Sequence, residues 1–135
     1  MKEAIMRVRI ILCFFLMFGV SAIPVMASDI CTMASRAATM TAEQMDNFNE
    51  DQIRGNSFSG SGTIRRFTFN DVDEDEAYTI TVDCGNKVLV TLYADEMFGK
   101  SNTIENGATI SFSGKATELR RHFPDGVMVF IKEVR

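Results

Sequence analysis

The sequence predicts a mainly β fold, a five-stranded Greek-key barrel preceded by one N-terminal α-helix, and three observations carry that prediction. Hydrophobic periodicity is helical before Gly55 and twofold after it, to the end of the chain. The first alternating run, 57–69, is long and changes phase midway, as a strand does when it bends to serve two parts of a sheet. The remaining alternating runs follow as a hairpin pair, a polar excursion and two further strands. The competing architecture for this pattern is a small open sheet or sandwich with one packed helix.

The chain opens on a processing signal. Lys2, Arg7 and Arg9 precede the apolar run "IILCFFLMFGV", which is too short to span a bilayer. Val25 and Ala27 suit the positions before a signal-peptide cleavage site, so residues 1–27 read as a signal peptide cut after Ala27, with a cut after Ala22 the lesser choice. An uncleaved anchor is the alternative. No cysteine follows a small residue in lipobox fashion, so no lipid anchor is expected, and the expected location is periplasmic or secreted. Removing residues 1–27 takes three basic and one acidic residue from totals of 14 and 18, leaving 11 against 17 and a formal charge of −6. That sign disfavours general binding to phosphate backbones. The 108 residues left suit one core.

Residues 28–40 show no clean period and read as a flexible leader, held down only if Cys31 is bridged. The domain proper is expected over 41–135. Thr41 with Gln44 forms a capping-box pattern; Ala42, Met45, Phe48 and Ile53 make an apolar stripe; Gly55 stands where the helix stops. In "SFSGSGTIRRFTF" the phase changes at Arg65 and Arg66, which predicts a bulge. "YTITVDC" (78–84) and "KVLVTLY" (87–93) alternate on either side of a Gly85-Asn86 turn. The stretch 94–107 reads as a short helical turn or loop, 108–116 as the fourth strand and "TELRRHFPDG" (117–126) as a connection. The last strand, 127–134, is apolar on both faces and reads as central. Phe58, Phe67, Phe69, Phe112 and Phe130 are expected in the core. A long bent first strand and an excursion between strands three and four are the layout of the OB-fold.

The helix ending "NFNEDQIRG", followed by "FSGSGTIRRF", the hairpin "YTITVDC" and "IENGATISFSGKATEL", resembles the small exported bacterial OB-fold domains grouped as tRNA-anticodon-binding-like (tRNA_anti-like). In these an Asn-Glu step (here Asn49 and Glu50) leads into a first strand with a Gly-x-Val/Ile element (here Gly62, Thr63, Ile64). Their fourth strand opens on Gly (here Gly107) and contains a Gly-Lys or Gly-Arg pair (here Gly114 and Lys115). The resemblance covers 41–134. The aromatic-plus-Gly-Lys lead into the first strand is reduced here to "GNSFSG". It implies fold, export and a binding role, and brings no catalytic residue and no reaction.

Four features bear on chemistry. Cys31 and Cys84 form an even pair, which in an oxidising compartment reads as a disulfide closing about 50 residues for about 4 kcal/mol; the alternative is a buried Cys84 and a free Cys31. "NDVDEDEA" (70–77) places Asp71, Asp73 and Asp75 at alternating positions, but an EF-hand counted from Asp71 has Glu76 where glycine is needed and Val82 where the bidentate carboxylate belongs. A solvated turn is the plain reading, a weak Ca2+ site the metal reading and a protein-facing acidic patch the third; no other cofactor is expected. Arg120 and Arg121 beside His122, with Arg65 and Arg66, offer guanidinium forks for an anion, expected across a mouth from the acidic loop; solvated arginines are the plain reading. Tyr93, with Tyr78 as a second candidate, is the outward aromatic, and with no tryptophan in the chain the platform is a poor one for stacking oligosaccharide or single-stranded nucleic acid.

The expected function is therefore an exported, non-enzymatic binding module for a protein, peptide or small anion. The alternative class is a metal-dependent hydrolase or nuclease built around Asp83, Arg65 and the acidic loop. "GKS" at 99–101 lacks the first glycine of a phosphate loop, since residue 94 is Ala94.

Overall fold

The computed structural model describes residues 28–122 and 124–135, and the predicted signal segment 1–27 lies outside them. The elements run β1 (Ser28–Asp29), α1 (Ile30–Ser35), a 3-10 turn (Arg36–Thr39), α2 (Ala42–Phe48), a π turn (Asn49–Ile53), β2 (Ser57–Phe69), β3 (Tyr78–Gly85), β4 (Val88–Ala94), α3 (Glu96–Ser101), β5 (Thr109–His122) and β6 (Gly126–Lys132). The fold is mainly β. Six strands rather than five form one sheet in the order β1-β2-β3-β4-β6-β5, and pairing of β2 with β5 closes it into a ring. An open sheet does not describe it. The sixth strand is the two-residue β1, laid parallel to the start of β2.

The bend in β2 makes closure possible. Residues 57–63 pair with β5, residues 63–69 pair with β3, and the register breaks between Ile64 and Arg66 where the phase change predicts a bulge. Gly62 sits at the changeover, where an added Cβ would lie 2.4 Å from the Asp83 carbonyl oxygen, so a side chain has no room there. β6 lies between β4, in parallel, and β5, antiparallel. The inward residues of these strands, among them Ile64, Ile80, Val90, Leu92, Val129 and Ile131, are essentially without solvent exposure.

α2 begins with the predicted capping box, Thr41 and Gln44 each bonding the other's backbone N–H. It hands over to the π turn, and Gly55 at φ +81° releases the chain. Asn49 fastens this helix to the ring: its side-chain oxygen accepts from Leu119 N at 2.9 Å, just past the β5 irregularity between Ala116 and Glu118.

Residues 28–40 are not a loose leader. Ile30, Ala34 and Ala37 are fully buried against the core, and Cys31 is bonded to Cys84 with their Cα atoms 5.6 Å apart. The condition for holding this segment down, a bridged Cys31, is met. Two further expectations need correction. β5 continues as strand through Arg120, Arg121 and His122, so these residues are not a connection. Phe58 and Phe112 are buried as expected, but Phe67 and Phe69 are 36% and 52% exposed because they lie beyond the bulge at an uncovered end of β2, and Phe130 points away from the core.

Candidate functional site

The outer surface of β3, β4, β6 and β5 is built by the parity of each strand. In β4 the even residues Val88, Val90 and Leu92 face inward, which leaves Leu89, Thr91 and Tyr93 outside. In β6 the inward Val127, Val129 and Ile131 leave Met128 and Phe130 outside, and in β5 the inward Leu119 leaves Glu118, Arg120 and His122 outside. The ladders put these residues side by side: Thr81 beside Thr91, Thr91 beside Phe130, Phe130 beside Glu118, and Leu89 beside Met128, which faces Arg120.

Three of these side chains form a stack. The rings of Tyr93 and Phe130 lie nearly parallel, 16° apart in plane with centroids separated by 6.4 Å, and the Arg120 guanidinium sits 4.7 Å over the Phe130 ring. The Glu118 carboxylate pairs with Arg120 and holds it there. Cation–π contact of this kind is worth about 0.5–1 kcal/mol at an exposed site. On this face Leu89 is only 8% exposed, stands outside the inner core cluster and lines the groove at the Arg65 end. Thr91 donates to the Met128 sulfur at 3.4 Å. Arg66 opposes Thr81 on the same face, three strand spacings or about 14 Å from Phe130. No ion pair of Arg66 occurs among the described residues.

The predicted residues separate into four places. Arg66, Tyr93 and Arg120 share the outer face. At the end of the same face Arg65, beside the bulge, lies 3.6 Å from Asp83 and lines a groove of about 360 Å³ with Leu89, His122, Lys87 and Asp125. Lys87 pairs with Asp125 there, so Arg65 and Lys87 both face carboxylates in the groove. Arg121 donates to the Met40 carbonyl at 2.7 Å, tying the end of β5 to the turn before α2. The acidic loop lies at the other end of β3 from this basic end, about 23 Å away along the strand, so the two do not meet across a mouth.

Within the loop, the Asp73 carboxylate accepts from the backbone N–H groups of Asp75 and Glu76 at 3.1 and 3.3 Å, and Asn70 accepts from Val72 N. Asp71, Asp73 and Asp75 therefore stand in a turn rather than along one strand face. Among the described residues no three His, Cys, Asp or Glu side chains gather closely enough to hold a metal ion. Among the same residues no helix is long and apolar enough to cross a membrane.

Sequence reasoning missed Leu89, Thr91, Met128 and Phe130. Their signal was present as odd-against-even parity in "VLVTLY" and "VMVFIK", but where both faces of a strand are apolar, parity does not say which is inside. No family model matches the chain, and no curated protein matches it.

Proposed function

We propose that this chain is an exported, non-enzymatic binding module of the OB type, which takes a protein or peptide segment across the outer face of β3, β4, β6 and β5. The observation that carries this reading is the Arg120–Phe130–Tyr93 stack, standing beside the apolar pair Leu89 and Met128. Aromatic and arginine side chains on a sheet face supply large contact area with a charge to match, the composition enriched at protein contacts. Arg66, which makes no ion pair among the described residues, favours a ligand that carries a carboxylate.

Ring closure through a bent β2, α3 between β4 and β5, and a parallel β4–β6 pair all support the OB reading. Export is supported by the character of residues 1–27, and the Cys31–Cys84 bond is compatible with an oxidising compartment. Likeness to the tRNA-anticodon-binding-like group is part of the same proposal and rests on the short motifs around Asn49, Gly62 and Gly107.

An amide NMR titration tests it with two probes, a short peptide holding aspartates and leucines, and inorganic phosphate. The peptide is expected to shift Thr81, Thr91 and Met128, and Tyr93→Ala or Arg120→Ala is expected to weaken it by about 2 kcal/mol or more. Shifts from phosphate alone, on the same residues, reassign the face to a small anion. Shifts confined to other surfaces overturn the site.

A further inference from the structure

We propose that two copies of this chain join edge to edge through the second half of β2, in an antiparallel pairing with Thr68 on the twofold axis. The edge of β2 that β5 covers is occupied only as far as Ile64, which exchanges bonds with Gly107 and Ala108. Beyond it, among the described residues, nothing pairs with Arg65 to Phe69 on that side. Asn70 N bonds Ala77 O, so by the antiparallel alternation Thr68 and Arg66 bond β3 while Phe67 and Phe69 aim their N–H and C=O groups at the open edge. An open edge of this kind is a template for another strand.

Its side chains fit a copy of itself. With Thr68 on the axis, Phe67 opposes the partner's Phe69 and Phe69 opposes the partner's Phe67, and these pairs exchange four backbone hydrogen bonds. Phe67 and Phe69 point to the same side as Ile80 and Tyr78, and Phe69 already touches the Tyr78 ring at 4.9 Å. Four phenylalanines, 36% and 52% exposed in one copy, thereby cover one another on one face.

Charge chooses the second copy over an unrelated strand. The edge is basic at one end, Arg65 and Arg66, and runs into Asp71, Asp73, Glu74, Asp75 and Glu76 at the other. Antiparallel pairing of two such edges brings the basic end, Arg65 and Arg66, to the partner's acidic turn, which begins at Asp71 just past the end of β2, twice by symmetry.

Sedimentation equilibrium of the purified protein, over a concentration series, reads the association directly. A mass rising from one chain to two is expected, and Phe69→Lys is expected to raise the dimer dissociation constant by about tenfold or more. Arg65→Asp is expected to weaken the dimer, and Arg65→Asp with Asp71→Arg to restore it. Far-UV circular dichroism melts identify any variant that fails to fold. Thr68→Cys supplies an independent reading: two Cα atoms about 4.5 Å apart across a non-hydrogen-bonded pair suit a disulfide, so mild oxidation is expected to link the copies, with Asp51→Cys staying unlinked. A mass of one chain up to about 1 mM, which leaves the edge to a strand of another protein, overturns the proposal. So does a dimer indifferent to Phe69→Lys whose Thr68→Cys form does not crosslink.

Discussion

Asn49 shows how one side chain can join two elements. It is 8% exposed, and its amide oxygen takes the Leu119 N–H, which points away from β6. A buried donor without an acceptor costs about 1–3 kcal/mol, more than the net value of an ordinary hydrogen bond. Asn49→Ala is therefore expected to destabilise by about 1–3 kcal/mol, with Tm falling by roughly 4–8 °C for each kcal/mol in a domain of this size. Thermal melting by circular dichroism checks it. A change under about 0.5 kcal/mol, the scatter of ordinary surface substitutions, means that water replaces the amide and the joint is dispensable. Glu50, the next residue, is exposed and pairs with Arg54 one turn on, so it contributes far less. The two residues that carry the Asn-Glu resemblance thus have unequal work in this chain, and that of Asn49 is structural.

Among the elements, α1 depends on a covalent joint. It has six residues, below the length at which an isolated helix is stable in water, and it begins from the Asp29 cap. Packing of Ile30 and Ala34 and the Cys31–Cys84 bond hold it. The bond spans 53 positions, for which chain entropy gives about 4 kcal/mol. Replacing both cysteines by serine is expected to lower stability to denaturant by about 2–5 kcal/mol, and hydrogen exchange should quicken in 28–40 before it does in the ring. Equal quickening in β4 and β6 would instead make the segment part of one cooperative unit. The spacing of Ile30, Ala34 and Ala37 is helical, but it is faint in the sequence because two of the three are alanines, whose apolar signal is weak, and because the helix changes to a 3-10 turn at Arg36. The second half of β5 is hard to read from sequence for a related reason. Glu118, Arg120 and His122 alternate with Leu119 and Arg121, but charges at alternate outward positions read as a polar connection when the inward partner at 121 is an arginine.

At the scale of the molecule, alternation located every long strand, and the phase change in β2 located the bulge that allows the ring to close. What it could not supply was the third dimension. Phe67 and Phe69 have inward parity but lie past the last residue that β5 covers, and Met128 and Phe130 have outward parity in a strand that looked buried throughout. The same limit applies to charge. Five carboxylates between 71 and 76 and the basic side chains near His122 can be counted in the sequence, yet only the register puts them at opposite ends of β3.

This distribution gives a prediction for salt and for calcium. The loop crowds like charges in a molecule whose residues 28–135 carry a formal −6, so raising ionic strength from about 0.01 to 0.15 M, which shortens the Debye length from roughly 30 to 8 Å, should raise Tm. Calcium at matched ionic strength should add nothing further, because the Asp73 carboxylate is already engaged by two backbone N–H groups and Asp71 and Asp75 do not converge with it on one point. Differential scanning calorimetry in calcium chloride and in sodium chloride of equal ionic strength checks both statements. A rise in Tm that follows calcium concentration by mass action would show that the turn rearranges into a cation site, and Asp73→Asn would then abolish the rise.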